Sequence, residues 1–509
     1  MKTSGKVIAK NTMFLYGRLL FSMLIAIYTT RVVLESLGVV DYGIYSVVCG
    51  FVSMFSFINI TLSNGIQRFF NYEVSKHGET AESSVFSVSI AIMSILCIVV
   101  LVILETLGLW YINNKMIIPV DRLFAANCIF QCAILSLLLV FMQIPFSAAI
   151  IAHEKMDYFA YVGVGDTSLK LVIAVVLPFI SADSLIIYGI LVLLVSILDF
   201  FLYSLYAFYK FPYLRFRLDL DRDLFKNILG FSGWNTVETI AWISQNQGVN
   251  IALNAFVGPV VNAANAIAMQ INNALNGFCS SLSVAFRPQL FRSYAEGKND
   301  KVYEMMYSMS KIMFAVYYMF IVAIILEIDY ILEIWLGDNI PSYTKAFTIL
   351  ILLSMVPRNL IMCLSQIVHA TGKMKVYQLV SAVVISVVLP VSVLILRIGM
   401  SPVWVYVFNV FMCVGLYIID MYLLKRIILY NILDYIKGVI VPVMVSMCLI
   451  PIGPYIIQSI MSESFVRLLT VCCTSVLSTL IVCYCILLTH QQKQKVRSVI
   501  VNKINNRNK

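Results

Sequence analysis

Polar residues recur along one face of a long apolar segment, where they could bind a hydrophilic solute inside a membrane. From residue 259 onward the intervals between them are three, four or eight positions, which places them on one side of a helix. An isolated amide or hydroxyl in a membrane helix usually bonds to a neighbouring helix and contributes only about 1 kcal/mol. Seven on one face instead predict the wall of a water-filled cavity, formed by Asn262, Asn265, Asn273, Asn276, Ser280, Ser283 and Arg287.

Three other apolar segments carry comparable polar stripes. At about 3.6 residues per turn, the members of each stripe share a helix face. We therefore expect four helices to enclose the cavity. The stripes comprise Asn11, Arg18, Ser22 and Thr29 in 11–34; Tyr42, Tyr45, Ser53, Ser56, Ser63 and Gln67 at 42–67; and Glu238, Trp242, Gln245 and Val249 in 229–256, with Asn235 and Asn246 beside them.

Basic residues within or beside these segments favour an anionic substrate. Charges at membrane depth are costly and usually face a cavity or a partner, and a planar guanidinium can bind two diphosphate oxygens at once. Structural alternatives remain open, because Lys170 can pair with Asp166 and Arg358 can satisfy a helix broken near Pro357. The predicted substrate-binding residues are Arg18, Ser22, Arg31, Ser56, Lys170, Asn246, Asn265, Asn273, Asn276, Arg287 and Arg358.

Glu238 is the candidate for ion or proton coupling, because it lies at membrane depth on a polar stripe. The alternative interpretation is an ion pair with Arg18. The four histidines and twelve cysteines lack the spacing of metal ligands, so we expect no metal and no cofactor. We find no Walker motif, which argues against ATP hydrolysis in this chain.

Composition shows which elements must position these residues. The chain has 509 residues, of which 61% are hydrophobic and 12% charged, whereas a soluble domain has about a quarter charged. Apolar runs of about twenty residues, the length that crosses a bilayer, recur throughout. They predict an all-α integral membrane protein with about fourteen transmembrane helices at 11–34, 43–67, 85–110, 123–151, 159–182, 185–209, 229–256, 259–286, 304–328, 346–370, 375–397, 402–424, 438–460 and 464–489.

The distribution of Lys and Arg predicts that both termini are cytoplasmic, since cytoplasmic loops of membrane proteins are enriched in these residues. The net charge of +10 is explained in the same way, so no nucleic-acid partner is expected. With this orientation, the basic residues on the far side are Arg31, Lys115, Arg122, Lys345, Arg397 and Arg467, and those inside spans are Arg18, Lys170, Lys311 and Arg358.

The two halves of the chain resemble each other. The turn 37–40 matches 257–260 at an offset of 220, and the turn 152–156 matches 370–374 at an offset of 218. Both halves start on the same side, which predicts two parallel six-helix repeats that rock against each other around a substrate site. The predicted domains are bundles at 1–210 and 229–430, a cytoplasmic linker at 211–228, two further helices at 431–490 and a basic cytoplasmic tail at 491–509.

Several short motifs near the start of the chain and one cytoplasmic turn form a distinctive combination. The motifs are Asn11-Thr12, Leu15-Tyr16-Gly17-Arg18, Tyr28-Thr29-Thr30-Arg31-Val32-Val33-Leu34, Leu37-Gly38, Asp41-Tyr42-Gly43-Ile44-Tyr45 and Gly372-Lys373-Met374. With these motifs the chain resembles the polysaccharide-transport flippases in the multidrug/oligosaccharidyl-lipid/polysaccharide (MOP) exporter superfamily. The likeness extends over the whole chain in span number, in the repeat of six helices and in the placement of both termini.

This resemblance implies a MATE-like fold and a Wzx-like flippase for O-antigen or capsule repeat units in a bacterial inner membrane. Such a protein moves an undecaprenyl-diphosphate-linked oligosaccharide from the cytoplasmic to the periplasmic leaflet. The implied partners are membrane lipid, this lipid-linked glycan, H⁺ or Na⁺, and other polysaccharide-assembly proteins.

Two other functions stay open. A MATE-like multidrug or cation antiporter would favour an acidic, aromatic cavity and twelve spans, against which the basic balance and two additional spans argue. A membrane polysaccharide polymerase or glycosyltransferase needs a long outer loop with catalytic residues. The predicted outer loops are short and bring no carboxylates together, so we expect a transporter rather than an enzyme.

Overall fold

The computed structural model describes residues 5–77, 82–153, 155–180, 182–217, 221–337, 339–371, 374–488 and 493–494. Every regular element in these ranges is helical, as predicted. Within them, the described side chains do not include those of 5–20, 60, 64, 68, 71–77, 231–238, 278, 280–289, 291–292, 295 and 374.

Nineteen α-helices follow one another in the described residues: α1 Gly5–Ser53, α2 Phe57–His77, α3 Glu82–Ile103, α4 Leu109–Asn114, α5 Leu123–Ala152, α6 Met156–Val176, α7 Ser184–Lys210, α8 Arg222–Phe256, α9 Pro259–Ala295, α10 Asn299–Leu326, α11 Ile328–Leu336, α12 Thr344–Thr371, α13 Met374–Ser386, α14 Val388–Arg397, α15 Val403–Ile428, α16 Ile432–Tyr435, α17 Val441–Leu449, α18 Ile452–Ile460 and α19 Phe465–Val482. Short 3₁₀ segments lie at Met54–Ser56, Val120–Arg122 and Leu177–Phe179, and π-helical segments lie at Leu104–Gly108, Ile436–Ile440 and Cys483–Leu487.

Eleven helical stretches among the described residues are long and apolar enough to cross a membrane. The first of them, Phe21–Gln67, contains two spans that meet at Gly38. The helices α8 and α9 are not among the eleven, but with 35 and 37 residues each exceeds the about 20 residues that a bilayer requires. Dividing the first stretch and adding α8 and α9 gives the fourteen spans that the sequence predicts.

Two glycines in the left-handed region form the matching turns of the predicted repeat. Gly38 has φ 75° within the first stretch, and Gly258 has φ 113° between α8 and α9. A side chain is strained in this region, so glycine is the residue that lets each helix pair turn here. The 220 residues between them equal the offset predicted from sequence.

The two turns also approach each other closely. A β-carbon added to Gly43 would lie 2.0 Å from the carbonyl oxygen of Pro259, so only glycine permits this backbone contact. Equivalent side chains also pair across each turn. Tyr42 interacts with Thr30 across the first turn, and Asn262 bonds to Asn250 across the second. Asn262 and Asn250 lie 220 residues after Tyr42 and Thr30. The internal repeat is therefore visible in contacts as well as in sequence.

The packing of the helices divides the chain into two compact units. The first unit comprises 1–270, 338–344 and 378–405, and the second comprises 271–337, 345–377 and 406–509. The boundaries differ from those of the predicted six-helix bundles, which stay a prediction, because α8 packs on α1 and α2 and the start of α9 approaches α1 at Gly43.

Helices α1, α2, α5, α6, α7 and α8 form the core of the first unit. The predicted cytoplasmic linker is partly attached to this unit. The Ser83 hydroxyl donates to the Arg215 carbonyl at 2.7 Å, and the Arg217 amide donates to the Ser87 hydroxyl at 2.7 Å. Leu214 is buried, and α8 already begins at Arg222, so the described residues of the predicted linker are largely packed or helical.

The second unit joins the last two spans to α10. The Tyr318 hydroxyl donates to the Met447 carbonyl at 2.9 Å, and the Ser475 hydroxyl donates to the Met319 carbonyl at 2.7 Å. Both π-helical segments of this region, Ile436–Ile440 and Cys483–Leu487, also pack on α10. The predicted additional pair of helices is thus an integral part of this unit.

Candidate functional site

Three asparagines form a buried amide cluster at the α8–α9 contact of the first unit. The Asn262 amide donates to the carbonyl oxygen of Asn250 at 2.6 Å and to its side-chain oxygen at 2.8 Å. The Asn265 amide donates to the same side-chain oxygen at 3.0 Å. Buried amides are costly unless they bond to one another, which explains why they assemble here.

This cluster changes the interpretation of Asn265. The sequence predicts it on a cavity wall, whereas the structure places it in a helix contact with only 5% of its surface exposed. Asn250 also donates to the Ser46 carbonyl at 3.3 Å and so extends the cluster to α1. At this end of α9 the polar residues therefore bond to neighbouring helices and stabilise their packing. Isolated amides in membrane helices usually have this role, rather than that of a cavity wall.

The following part of α9 is more accessible. Asn273 is exposed, whereas Asn276 is half-buried and donates to the side-chain oxygen of Asn272 at 3.2 Å. Both belong to the second unit. Asn273 thus retains free surface for hydrogen bonding, as a cavity wall requires.

Two predicted basic residues are engaged in ion pairs along their own helices. Arg31 donates to Glu35 at 2.9 Å, and Lys170 lies 2.7 Å from Asp166. Both pairs are partly exposed, so each cation has an acidic partner and remains partly accessible. For Lys170 this is the alternative that the sequence leaves open.

The remaining predicted residues lie in different surroundings. The Ser22 hydroxyl shares a 3.0 Å hydrogen bond with Thr167 and links α1 to α6. Ser56 and Asn246 are half-buried. Arg358 is half-buried in α12, where it faces Tyr317 and Cys413. The side chains of Arg18, Glu238 and Arg287 lie outside the described residues.

Sequence reasoning missed an arginine that joins three helices of the first unit. Arg122 donates from Nε to Asp41 at 2.8 Å and from a terminal nitrogen to Asp183 at 2.6 Å. Asp183 also accepts from the first amides of α7. The guanidinium holds the pKa of Asp183 below its usual value. The sequence motif that contains Asp41 indicates that this carboxylate has a role. Its partner Arg122 lies 81 residues further along the chain, so sequence spacing does not reveal the pair.

A second missed cluster lies in the second unit. Arg467 at the start of α19 donates to Glu327 at 3.1 Å and 2.8 Å, and it also lies 3.4 Å from Glu463. Glu327 is completely buried, whereas Glu463 is exposed. This cluster ties the last span to the end of α10.

The first unit contains an apolar cavity of about 210 Å³. Its wall is provided by the second span, α5 and α7, with few polar groups. Such a space can accept an apolar chain or ring system. The lining residues are Tyr45, Cys49, Val52, Ser53, Ile129, Cys132, Ala133, Ser136, Leu137, Val140, Gly189 and Val192.

The second unit has a basic pocket of about 600 Å³ at the end of α15. Its cations are Lys425 and Arg426, both exposed, and Tyr422 and Leu429 border them. Basic and aromatic residues at a helix end are typical of the membrane interface on the cytoplasmic side. Among the residues that the structure describes, no group of histidine, cysteine or acidic side chains could hold a metal ion.

Comparisons with known proteins identify the fold. A model of the MatE family matches residues 239–394. An inward-facing multidrug-resistance MATE transporter of the MOP superfamily shares 12% identity with a TM-score of 0.62, covering 81% of this chain and 95% of its own. The lipid II flippase MurJ, in an inward closed conformation, shares 14% identity with a TM-score of 0.67, covering 92% of this chain and 97% of its own.

A third solved structure, that of the MATE multidrug transporter DinF-BH, shares 16% identity with a TM-score of 0.60, covering 85% of this chain and 98% of its own. No curated protein sequence matches the chain. A segment of the chain thus matches the MatE family model, and the chain shares the fold of the solved MOP-superfamily transporters, which confirms the predicted fold class.

Proposed function

We propose that this protein is a flippase for a lipid-linked oligosaccharide, which moves an undecaprenyl-diphosphate-linked glycan repeat unit from the cytoplasmic to the periplasmic leaflet. It acts by alternating access in a bacterial inner membrane, with both termini in the cytoplasm, beside other polysaccharide-assembly proteins. This function needs no covalent step and no cofactor.

The observation that carries the proposal is the attachment of the last two spans to α10. Hydrogen bonds and the buried ion pair between Arg467 and Glu327 make these spans part of the second unit. The lipid flippase compared above also covers more of this chain than the two multidrug transporters do. The additional helices are therefore better explained by a lipid-linked substrate than by a soluble drug.

The accessible polar residues suit a glycan with a diphosphate. Asn273 offers an exposed amide, and Arg358 offers a half-buried guanidinium that could bind phosphate oxygens bidentately. The predicted cations Arg18 and Arg287 would add positive charge for the diphosphate. Arg31 and Lys170 are partly exposed beside their acidic partners. We assign ion coupling to Glu238 or to another titratable group at membrane depth.

The test is a leaflet assay with the full chain in proteoliposomes. The probe is a fluorescent polyprenyl-diphosphate-linked disaccharide, and dithionite quenches only the molecules in the outer leaflet. Vesicles with the wild type should lose nearly all fluorescence, whereas empty vesicles should keep the fraction in the inner leaflet. A wild type that behaves like empty vesicles would refute the proposal.

Matched arginine variants test the proposed site. Arg358→Ala should slow the quenching, because the diphosphate loses a cation. Arg397→Ala is the control, since Arg397 is exposed at the end of α14 and has no proposed role. Equal rates for both variants would remove Arg358 from the site.

A multidrug exporter is the second candidate, and the apolar cavity of the first unit favours it. A cavity of about 210 Å³ with few polar groups suits a flat lipophilic cation better than a sugar. Efflux of a rhodamine dye from cells that express the protein tests this directly. The variant Ala133→Phe narrows the cavity. If the protein is a multidrug exporter, this variant should abolish dye efflux. If the protein is a glycolipid flippase instead, the variant should leave glycolipid flipping unchanged.

A further inference from the structure

A lysine is buried inside a membrane span of the second unit without an acidic partner among the residues that the structure describes. Lys311 of α10 is 6% exposed. It forms no ion pair or hydrogen bond with any residue that the structure describes. Lys170 of the first unit, also inside a span, lies 2.7 Å from Asp166 and is 41% exposed. Of these two intramembrane lysines, Lys170 is paired and partly exposed, whereas Lys311 is buried and has no acidic partner among the described residues.

An ammonium ion removed from water and from counter-ions is costly, and such a group usually gives up its proton instead. Ionisable residues at membrane depth are rare and mark ion or proton pathways. A neutral amine removes most of this cost. Lys311 can therefore remain in this position if its proton leaves whenever water is excluded.

The groups around Lys311 are neutral when protonated. The thiol of Cys483, in the last π-helical segment, is its electrostatic neighbour. Ser310, the residue before Lys311, shares a 3.2 Å hydrogen bond with the Tyr435 hydroxyl, and the Tyr417 hydroxyl donates to Tyr435 at 3.0 Å. From α12, Cys363 lies 3.2 Å from the sulfur of Met313.

The carboxylates of α10 itself, Asp300 and Glu304, are exposed near the start of the helix, and those of the neighbouring helices have other partners. Asp420 of α15 is buried and accepts from Tyr377 at 2.9 Å. Asp434 of α16 is exposed and interacts with Tyr307, one turn before Lys311 on α10. Asp434 is thus an exposed carboxylate next to α10, one turn away from Lys311 along this helix.

We propose that Lys311 binds the proton that drives the transport cycle. It takes up the proton in the state that opens α10 to water on the outer side, and it releases the proton to the cytoplasm when the surrounding helices close. This inference rests on the proposed transport function and names its coupling ion as H⁺. Lys311 would then perform the role that the sequence assigns to Glu238.

The experiment uses the full chain in proteoliposomes that enclose a pH-sensitive dye, with an acidic exterior. The probe is the same polyprenyl-diphosphate-linked disaccharide. We expect the lumen to acidify with the wild type when the probe is present and not with Lys311→Met. Lys345→Met is the matched control, because Lys345 is exposed and paired with Asp329 in the same unit, and it should behave like the wild type.

Lys311→Arg separates proton exchange from a structural need for positive charge. Arginine keeps its proton at all accessible pH values. If Lys311 exchanges a proton, this variant should also fail to acidify the lumen. Acidification at the wild-type rate by either Lys311→Met or Lys311→Arg would overturn the inference.

The readouts distinguish failure of the inference from failure of the proposed function. If the wild type flips the probe without acidifying the lumen, the function stands and the inference fails. If the wild type does not flip the probe, the proposed function fails, and thermal unfolding in detergent still tests the lysine. The midpoint of the wild type should fall relative to that of Lys311→Met as the pH is lowered, because the unfolded chain binds the proton freely. A constant difference would refute proton exchange at Lys311.

Discussion

Each unit holds an arginine between two carboxylates, at helix ends predicted to lie on the outer side, yet the two clusters differ in their contact with water. Arg122, Asp41 and Asp183 keep 23%, 16% and 31% of their side-chain surfaces exposed. Arg467 and Glu327 keep only 8% and 0%. The same chemistry thus joins helices in two environments.

This difference in exposure determines how strongly the carboxylates of each cluster depend on their arginine. A partly hydrated carboxylate that loses its cation recovers water, and exposed pairs contribute only about 0–1 kcal/mol. A buried carboxylate recovers nothing, so breaking a buried pair costs about 3–5 kcal/mol. We therefore expect the last spans to depend on a single ion pair more strongly than the first unit does.

The largest effect is expected for Arg467→Met, which leaves Glu327 buried without a cation. The free energy of unfolding should fall by about 3 kcal/mol, the lower end of the range for a buried pair, because this pair lies near helix ends. Thermal unfolding in detergent measures this. The double variant Glu327→Gln/Arg467→Met should recover part of the loss, and a single variant as stable as the wild type would contradict the comparison.

Arg122→Ala should have a smaller effect, a loss of about 1–2 kcal/mol, between the values for exposed and buried pairs. Arg122→Lys should recover only part of it, since one ammonium group cannot bind both carboxylates in the bidentate way of a guanidinium. If Arg122→Ala is as destabilising as Arg467→Met, exposure does not explain the difference between the clusters.

The contribution of Asp183 to stability should also weaken in acid. Because Arg122 holds the pKa of Asp183 below its usual value, this carboxylate stabilises the fold above about pH 4. The stabilisation is lost as the pH falls through the lower, folded-state pKa. Asp183→Asn keeps a helix-capping oxygen but loses the charge. Its unfolding midpoint should fall less than that of the wild type below about pH 4, and parallel curves would rule out this linkage.

The smallest effect is expected for Glu463→Gln. Glu463 lies 3.4 Å from Arg467 with 61% of its side chain exposed, so its pair with Arg467 is hydrated. The loss should be below about 0.5 kcal/mol by thermal unfolding. A loss as large as that of Arg467→Met would show that the exposed carboxylate, rather than Glu327, holds α19.

The candidate site was only partly predictable. Helical phase placed Asn265 and Asn273 on the same face, but depth along α9 separates them into a buried amide and an exposed one. A periodic sequence pattern shows on which side of its helix a residue lies. It does not show how close the neighbouring helix comes at that position. The partner of Lys170 was predictable, because Asp166 lies one turn away on the same helix.

The sequence by itself determined the membrane-spanning helices, their number and the repeat marked by Gly38 and Gly258, because hydropathy and backbone strain are local properties. Only the tertiary structure decided which charges meet. Glu327 and Arg467 lie 140 residues apart, and Lys311 meets no carboxylate among the described residues. Such pairing depends on how helices pack, which residue type and spacing do not specify.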